Sequence, residues 1–125
     1  MLPEELLMQK FEEHNVDAYV RLDDAKNKNS FVLIVRTSDF DEQFDDDGAY
    51  VTNNYNFTIS CFIKGGILAS IEFAEKIKDI IYEFEYSDDI EDFTYGGGGA
   101  IPDLNDYTGY SLSIAIALQK NKLIN

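Results

Sequence analysis

The chain has 125 residues, of which 24 are acidic and 10 are basic, so its formal net charge is −14. This length fits one domain, residues 1–125, which buries roughly two thirds of the surface of its unfolded chain. A hydrophobic content of 45% excludes wholesale disorder, and the negative charge disfavours direct binding to nucleic acid or to an anionic membrane.

The first segments predict a short helix followed by two strands. Pro3 with Glu4 and Glu5 behind it favours a helix that ends near residues 14–15. This acidic start predicts no signal peptide, and no apolar run approaches the roughly 20 residues that span a bilayer. Alternation over residues 18–22 and an apolar run over residues 31–35 predict a hairpin. Its second strand would be central and covered on both faces, or covered by a neighbouring subunit.

Residues 38–48 carry six acids and predict a loop, because such a charge density is unfavourable in a sheet. A partial match to a calcium-binding EF-hand loop fails at both ends, since Gln43 stands at its first position and Asn54 at its twelfth. No cation site is therefore predicted here.

A long strand over residues 49–64 and a long amphipathic helix come next. Alternate residues from Tyr55 to Ile63 are apolar, and Gly65 with Gly66 ends the alternation. Cys61 is the single cysteine and is expected to be a buried, unpaired side chain. The predicted core stripe of the helix consists of Ile67, Ile71, Ala74, Ile77, Ile81 and Phe84, widened by Phe73 and Ile80.

The last part of the sequence predicts a hairpin with an overlong tip. A second acidic segment, residues 83–92, leads to a short strand, and four consecutive glycines at 96–99 predict a flexible loop before the final strand at 110–118. The glycines lack the Lys and Ser/Thr of a phosphate-binding loop. The predicted fold class is α+β, with a mainly antiparallel sheet of four to five strands, one long helix on one face and a short N-terminal helix.

The residue types do not assemble a convincing catalytic set. His14 is the only histidine, and its position at a helix end favours an interaction with the helix dipole. We therefore predict no catalytic, cofactor-binding or metal-binding residues and no enzymatic activity.

The order of these elements resembles the tail terminator or tail completion proteins of long-tailed bacteriophages, including small minor capsid proteins of phages that infect Gram-positive bacteria. The resemblance is carried by the strand at residues 55–64, the helix that begins after Gly65 and Gly66, and the closing strand at residues 110–118. It implies a ring, usually of six copies, that sits on the finished tail tube, stops its growth and joins the head.

The resemblance also implies partners and a location. They are the tail tube protein and a head completion or connector protein, at the head–tail interface of a virion that is assembled in the host cytoplasm. DNA would pass through without specific binding, and no membrane would be involved. The predicted contact residues lie in the two segments expected to be loops: Asp39, Phe40, Asp41, Glu42, Phe44, Asp45, Asp46, Asp47, Gly96, Gly97, Gly98, Gly99, Ile101 and Leu104.

A second hypothesis about the function rests on the negative net charge of the chain alone. A small acidic inhibitor can mimic DNA by placing carboxylates in the phosphate-binding groove of a host or defence enzyme. A mimic should present acids at regular spacing along one face, whereas half of the 24 acids here fall in residues 38–48 and 83–92.

Overall fold

The computed structural model describes residues 1–25, 27–43 and 51–119 of the chain. It confirms the α+β class, with one mixed sheet of five strands and two helices. The helices are α1 (Pro3–Glu12) and α2 (Gly66–Tyr82), and 3-10 turns lie at Leu22–Ala25 and Glu83–Tyr86. The strands are β1 (Ala18–Tyr19), β2 (Ser30–Gln43), β3 (Val51–Ile63), β4 (Asp92–Leu104) and β5 (Tyr107–Gln119).

The strands lie in the order β1-β2-β3-β5-β4, and every pair except the first is antiparallel. The predicted hairpin of the first two strands is wrong, because β1 pairs with β2 in parallel, Ala18 opposite Val32. Residues 20–29 connect these two strands and include the 3-10 turn at Leu22–Ala25.

The predicted acidic loop at residues 38–48 is wrong over its described part. β2 continues to Gln43, and Asp39 and Asp41 pair with Tyr55 and Asn53 of β3. Backbone pairing with β3 holds this segment extended, while the acidic side chains stand in solvent. The one irregularity in this pairing is a bulge between Arg36 and Ser38.

The glycine tract is also a strand rather than a flexible loop. Gly97, Gly98 and Gly99 pair with Ser113, Leu112 and Ser111 of β5, and a two-residue turn, Asn105-Asp106, closes the hairpin. Gly97 has a φ of 102° beside a bulge in β4, a conformation that favours glycine. The final hairpin is therefore confirmed, and its overlong tip is wrong.

Helix α2 packs on β3 and β5, and its predicted core stripe is confirmed from Phe73 onward but not at Ile67 and Ile71. Ile77 and Ile81 are fully buried, whereas Ile67 is 72% exposed and Ile71 is 44% exposed. The buried face begins instead at Ser70, so the first turn of α2 lies outside the layer that covers the sheet. No helix within the described ranges is long and apolar enough to cross a membrane.

Helix α1 is fixed to the rest of the fold at both of its ends. Arg36 donates from Nη2 to Glu4 Oε1 at 2.6 Å and from Nε to Glu4 Oε2 at 2.9 Å. At the other end His14 Nε2 lies 2.9 Å from Glu83 Oε2, and Phe11 meets Phe84 edge to face. His14 therefore joins the ends of two helical segments through Glu83.

Candidate functional site

The two faces of the sheet differ in what covers them. Helices α1 and α2 pack on one face, which we call the covered face; its residues include Val32, Ile59 and Leu112. The opposite face, the open face, carries Val35, Thr58, Ser60, Ser111 and Ser113, and no α-helix within residues 1–25, 27–43 and 51–119 packs on it. This broad polar surface is available for contacts.

One end of the sheet brings together parts of the two acidic segments of the sequence. Phe40 pairs with Asn54, Asn54 with Ala117, and Ala117 with Asp92, so these four residues cross the sheet in one row. We call this end the hairpin end, because β2 and β3 are joined there. With strands about 4.8 Å apart, the acids of β2 and the segment entering β4 lie within roughly 15 Å of each other.

Phe40 stands out at the hairpin end because it is a large apolar side chain in solvent. Phe40 lies on the open face, as does Ser38 two residues before it. Ser38 pairs there with Asn56 of β3. Phe40 is 55% exposed, and Asp39 and Asp41 on either side of it are exposed as well. Beyond Leu33, β2 has no partner on its outer side within the described chain, since β1 pairs only with Val32 and Leu33.

The other end of the sheet, which we call the cavity end, holds a second small core on the open-face side. Ala25, Phe31 and Phe62 are buried there, with Tyr19, Leu33, Ile101, Leu104 and Tyr107 packed around them. Beside them lies a cavity of about 340 Å³. Its walls include Leu22, Ala25, Phe31, Leu104, Tyr107 and Lys64.

Polar groups fix the walls of this cavity. Tyr107 Oη donates to the carbonyl oxygen of Lys28, and the Tyr107 ring meets Phe31 edge to face at 5.2 Å between centroids. Lys64 Nζ lies 3.5 Å from Asp106 Oδ2 and 5.3 Å from the centre of the Tyr107 ring. Two chain segments that are far apart in sequence are thereby held around one opening.

The predicted contact residues that the structure describes lie in three different parts of the sheet. Asp39, Phe40, Asp41 and Glu42 lie in β2 at the hairpin end, whereas Gly96, Gly97, Gly98 and Gly99 lie along β4. Ile101 and Leu104 are half-buried at the cavity end. Phe44, Asp45, Asp46 and Asp47 lie outside the described residues.

The open face and the cavity were not predicted as sites. The alternation of Ser111 and Ser113 with apolar residues in the last strand does signal a polar sheet face. The cavity has no such local signal, because its walls come from the 3-10 turn, β2 and the β4–β5 hairpin, which only the fold brings together.

Groups suited to chemistry are scarce among the described residues. No cluster of three or more His, Cys, Asp or Glu side chains in residues 1–25, 27–43 and 51–119 has the geometry to hold a metal ion. Cys61 is buried on the covered face as expected, and desolvation raises the pKa of its thiol to about 12. Such a thiol stays protonated and unreactive near neutral pH.

No known protein-family model matches this chain, and no curated protein matches it either.

Proposed function

We propose that this chain is a non-catalytic structural subunit that forms a ring on a bacteriophage tail tube, ends tube polymerisation and provides the surface for head joining. The observation that supports this best is that the two ends of one sheet differ, with exposed Phe40 and acidic side chains at the hairpin end and an open cavity at the cavity end. A closed ring needs two such surfaces, because each copy meets its two neighbours differently.

The distribution of charge supports the same role. Acids of β2 and Asp92 at the start of β4 lie at the hairpin end, and a negative surface repels phosphates. A ring lined by such ends would let DNA pass without binding it. The partners in this role are the tail tube protein and a head completion or connector protein, at the head–tail interface of a virion assembled in the host cytoplasm.

Sedimentation velocity of the purified protein, alone and mixed with the tail tube protein of the same phage, tests this proposal. We expect one closed oligomer of about six copies, formed alone or on the tube protein, because closure limits the assembly to one size. A tube protein from an unrelated phage is the control. A monomer both alone and with the cognate tube protein would contradict the proposal.

A DNA mimic remains the second candidate, and the proximity of Asp92 to the acids of β2 at the hairpin end favours it. These acids lie closer together in space than their separation in the sequence indicates, because Asp92 and Phe40 occupy the same row of the sheet. A mimic would bind a nucleic-acid enzyme with strong salt dependence and would be displaced by duplex DNA. A ring subunit would show neither property.

A further inference from the structure

We propose that the outer edge of β4 binds an extended segment of another protein, which adds to the sheet as a sixth strand beside residues 97–101. The segment that fits this edge has few acidic residues and carries apolar side chains on one face. The inference rests on the proposed function, since it takes the tail tube protein as the source of the added strand.

Strand β4 lies at the edge of the sheet, and only β5 pairs with it among the described strands. In an edge strand the backbone N–H and C=O groups of alternate residues point away from the sheet and can pair with a further strand. Bulges interrupt β4 between Tyr95 and Gly97 and between Ile101 and Leu104, so the regular stretch between them is residues 97–101. We call the outer side of this stretch the glycine edge.

The glycine edge has none of the charged side chains that commonly keep a sheet edge unpaired. Residues 93–102 carry no charge, and Pro102 lies just beyond the regular stretch. The outer side of β2, the other edge that is unpaired over much of its length, carries Asp39, Asp41 and Glu42. Charged residues and prolines on an edge oppose the addition of a strand, so β4 is the more accessible of the two edges.

Helix α2 supplies an apolar wall above the glycine edge. Lys78 Nζ lies 5.3 Å from the centre of the Tyr95 ring, so this side of the helix faces β4. Ile71 and Ile67 stand seven and eleven residues before Lys78 and share its side of the helix, at about 100° per residue. Because α2 begins at the cavity end, both isoleucines lie level with the glycine edge, where β4 has no large side chain to cover them.

The exposure of these isoleucines is what an added strand would remove. Ile71 is 44% exposed and Ile67 is 72% exposed, although both belong to the apolar pattern of α2. A strand paired with the glycine edge would place alternate side chains on the side of the sheet where α2 lies. Apolar residues at those positions would pack against the two isoleucines, and backbone pairing would supply the rest of the contact.

The charges near the glycine edge favour another protein over a second copy of this chain. Antiparallel pairing of the glycine edge with itself would bring Asp92 of each copy toward Asp103 and Asp106 of the other. Pairing with β2 of a second copy would bring in three further acids. Like charges across a strand pair are destabilising, whereas a strand with basic or uncharged ends suits the same aspartates.

Hydrogen–deuterium exchange with the tail tube protein of the same phage tests the pairing directly. We expect the freely exchanging amides of residues 97–101 to exchange at least about tenfold more slowly in the complex, because they become hydrogen-bonded. The outer amides of β2 are the internal control and should not change.

Three results would overturn the inference. A complex that leaves the exchange of residues 97–101 unchanged would overturn this inference alone. Slower exchange there when the isolated protein is concentrated would show that a second copy covers the edge. A tube protein that does not bind at all would overturn the proposed function as well.

A matched pair of variants tests the apolar wall. Ile67→Asp should weaken binding of the tube protein about tenfold or more, because it places a carboxylate against the apolar face of the added strand. Leu68→Asp is the control, since Leu68 is 79% exposed and stands nine residues before buried Ile77, on the opposite side of the helix. Circular dichroism checks that both variants fold. Equal binding by the two variants would overturn the inference.

Discussion

The covered face and the open face are built from alternate residues of the same strands, yet they have opposite properties. On β3, Phe57, Ile59 and Cys61 are at most 1% exposed under the helices. Their neighbours Thr58 and Ser60 are partly exposed on the other side. Because successive residues of a strand point to opposite faces, one sequence segment supplies both surfaces.

This difference separates the residues that stabilise the fold from those expected to contact other subunits. The covered face buries the large side chains that oppose the conformational entropy of unfolding, so substitutions there should act on the fold. The exposed residues of the open face bury less, so substitutions at them should act on assembly. Each of the following variants tests whether the division holds at a particular residue.

The largest effect is expected for a charge placed under α2. Ile77→Asp buries an unpaired carboxylate at a position with no exposure and should destabilise the fold by about 4 kcal/mol or more. Ile71→Asp, on the same helix at 44% exposure, should cost about 1 kcal/mol or less. Urea unfolding followed by circular dichroism measures both, and similar losses would contradict the assigned helix face.

Cys61 makes the covered face sensitive to alkaline pH. Its pKa is raised by burial from 9.0 to about 12, so above pH 9 the unfolded chain loses a proton that the folded chain keeps. The free energy of unfolding should therefore fall by about 1.4 kcal/mol per pH unit above pH 9.

The alkaline effect is measured as the difference between the wild type and Cys61→Ala in urea at pH 8 to 10.5. This difference should begin to change between pH 8 and pH 9, in favour of the variant, and should reach its full slope above about pH 10. A constant difference throughout would show that the thiol ionises in the folded protein.

Two adjacent glycines of β4 allow the two faces to be compared directly. Gly98 pairs with Leu112 of the covered face, and Gly99 pairs with Ser111 of the open face. A Cβ on Gly98 would meet Ser111 O at 2.7 Å and Leu112 Cδ2 at 2.8 Å, whereas a Cβ on Gly99 would meet nothing within 4 Å. Gly98→Ala should therefore cost roughly 1–3 kcal/mol, and Gly99→Ala should be neutral or slightly stabilising. Thermal unfolding compares the two, and equal midpoints would contradict the register of β4.

The smallest effect is expected at Arg36, which joins the covered face to α1. The hydrogen bonds from its guanidinium to the Glu4 carboxylate raise its pKa. Arg36→Lys loses the two-bond fork and should cost about 1 kcal/mol, while Arg21→Lys, in an exposed pair, should cost nothing measurable. Equal stability of the two variants in urea would show that the fork contributes nothing.

Periodicity predicted the type of the long elements but not their full length. Two patterns are confirmed: the alternation from Tyr55 to Ile63 and the apolar spacing from Ala74 to Phe84. Both patterns reflect side chains that pack between the covered face and the helices. The sequence predicts loops at Asp39 and Gly98 because aspartate and glycine are both uncommon in strands. Pairing with Tyr55 and Leu112 overrides that preference, since a neighbouring strand supplies the hydrogen bonds whatever the side chain is.

Less of the candidate site than of the fold could be predicted from the sequence. Phe40 and its acidic neighbours were identified as contact residues, but their place in a paired strand was not. The cavity depends on the packing of the 3-10 turn against Tyr107, a contact between residues about 80 positions apart that no local pattern encodes.

Negative-stain electron microscopy of the purified protein tests most directly whether the ends of this sheet join copies into a closed assembly. The proposed ring predicts class averages of circular particles of one size, about 100 Å or less across, from domains of ordinary compactness around a bore. If the images show only particles of monomer size, both for the protein alone and with the tail tube protein present, the proposed ring is contradicted.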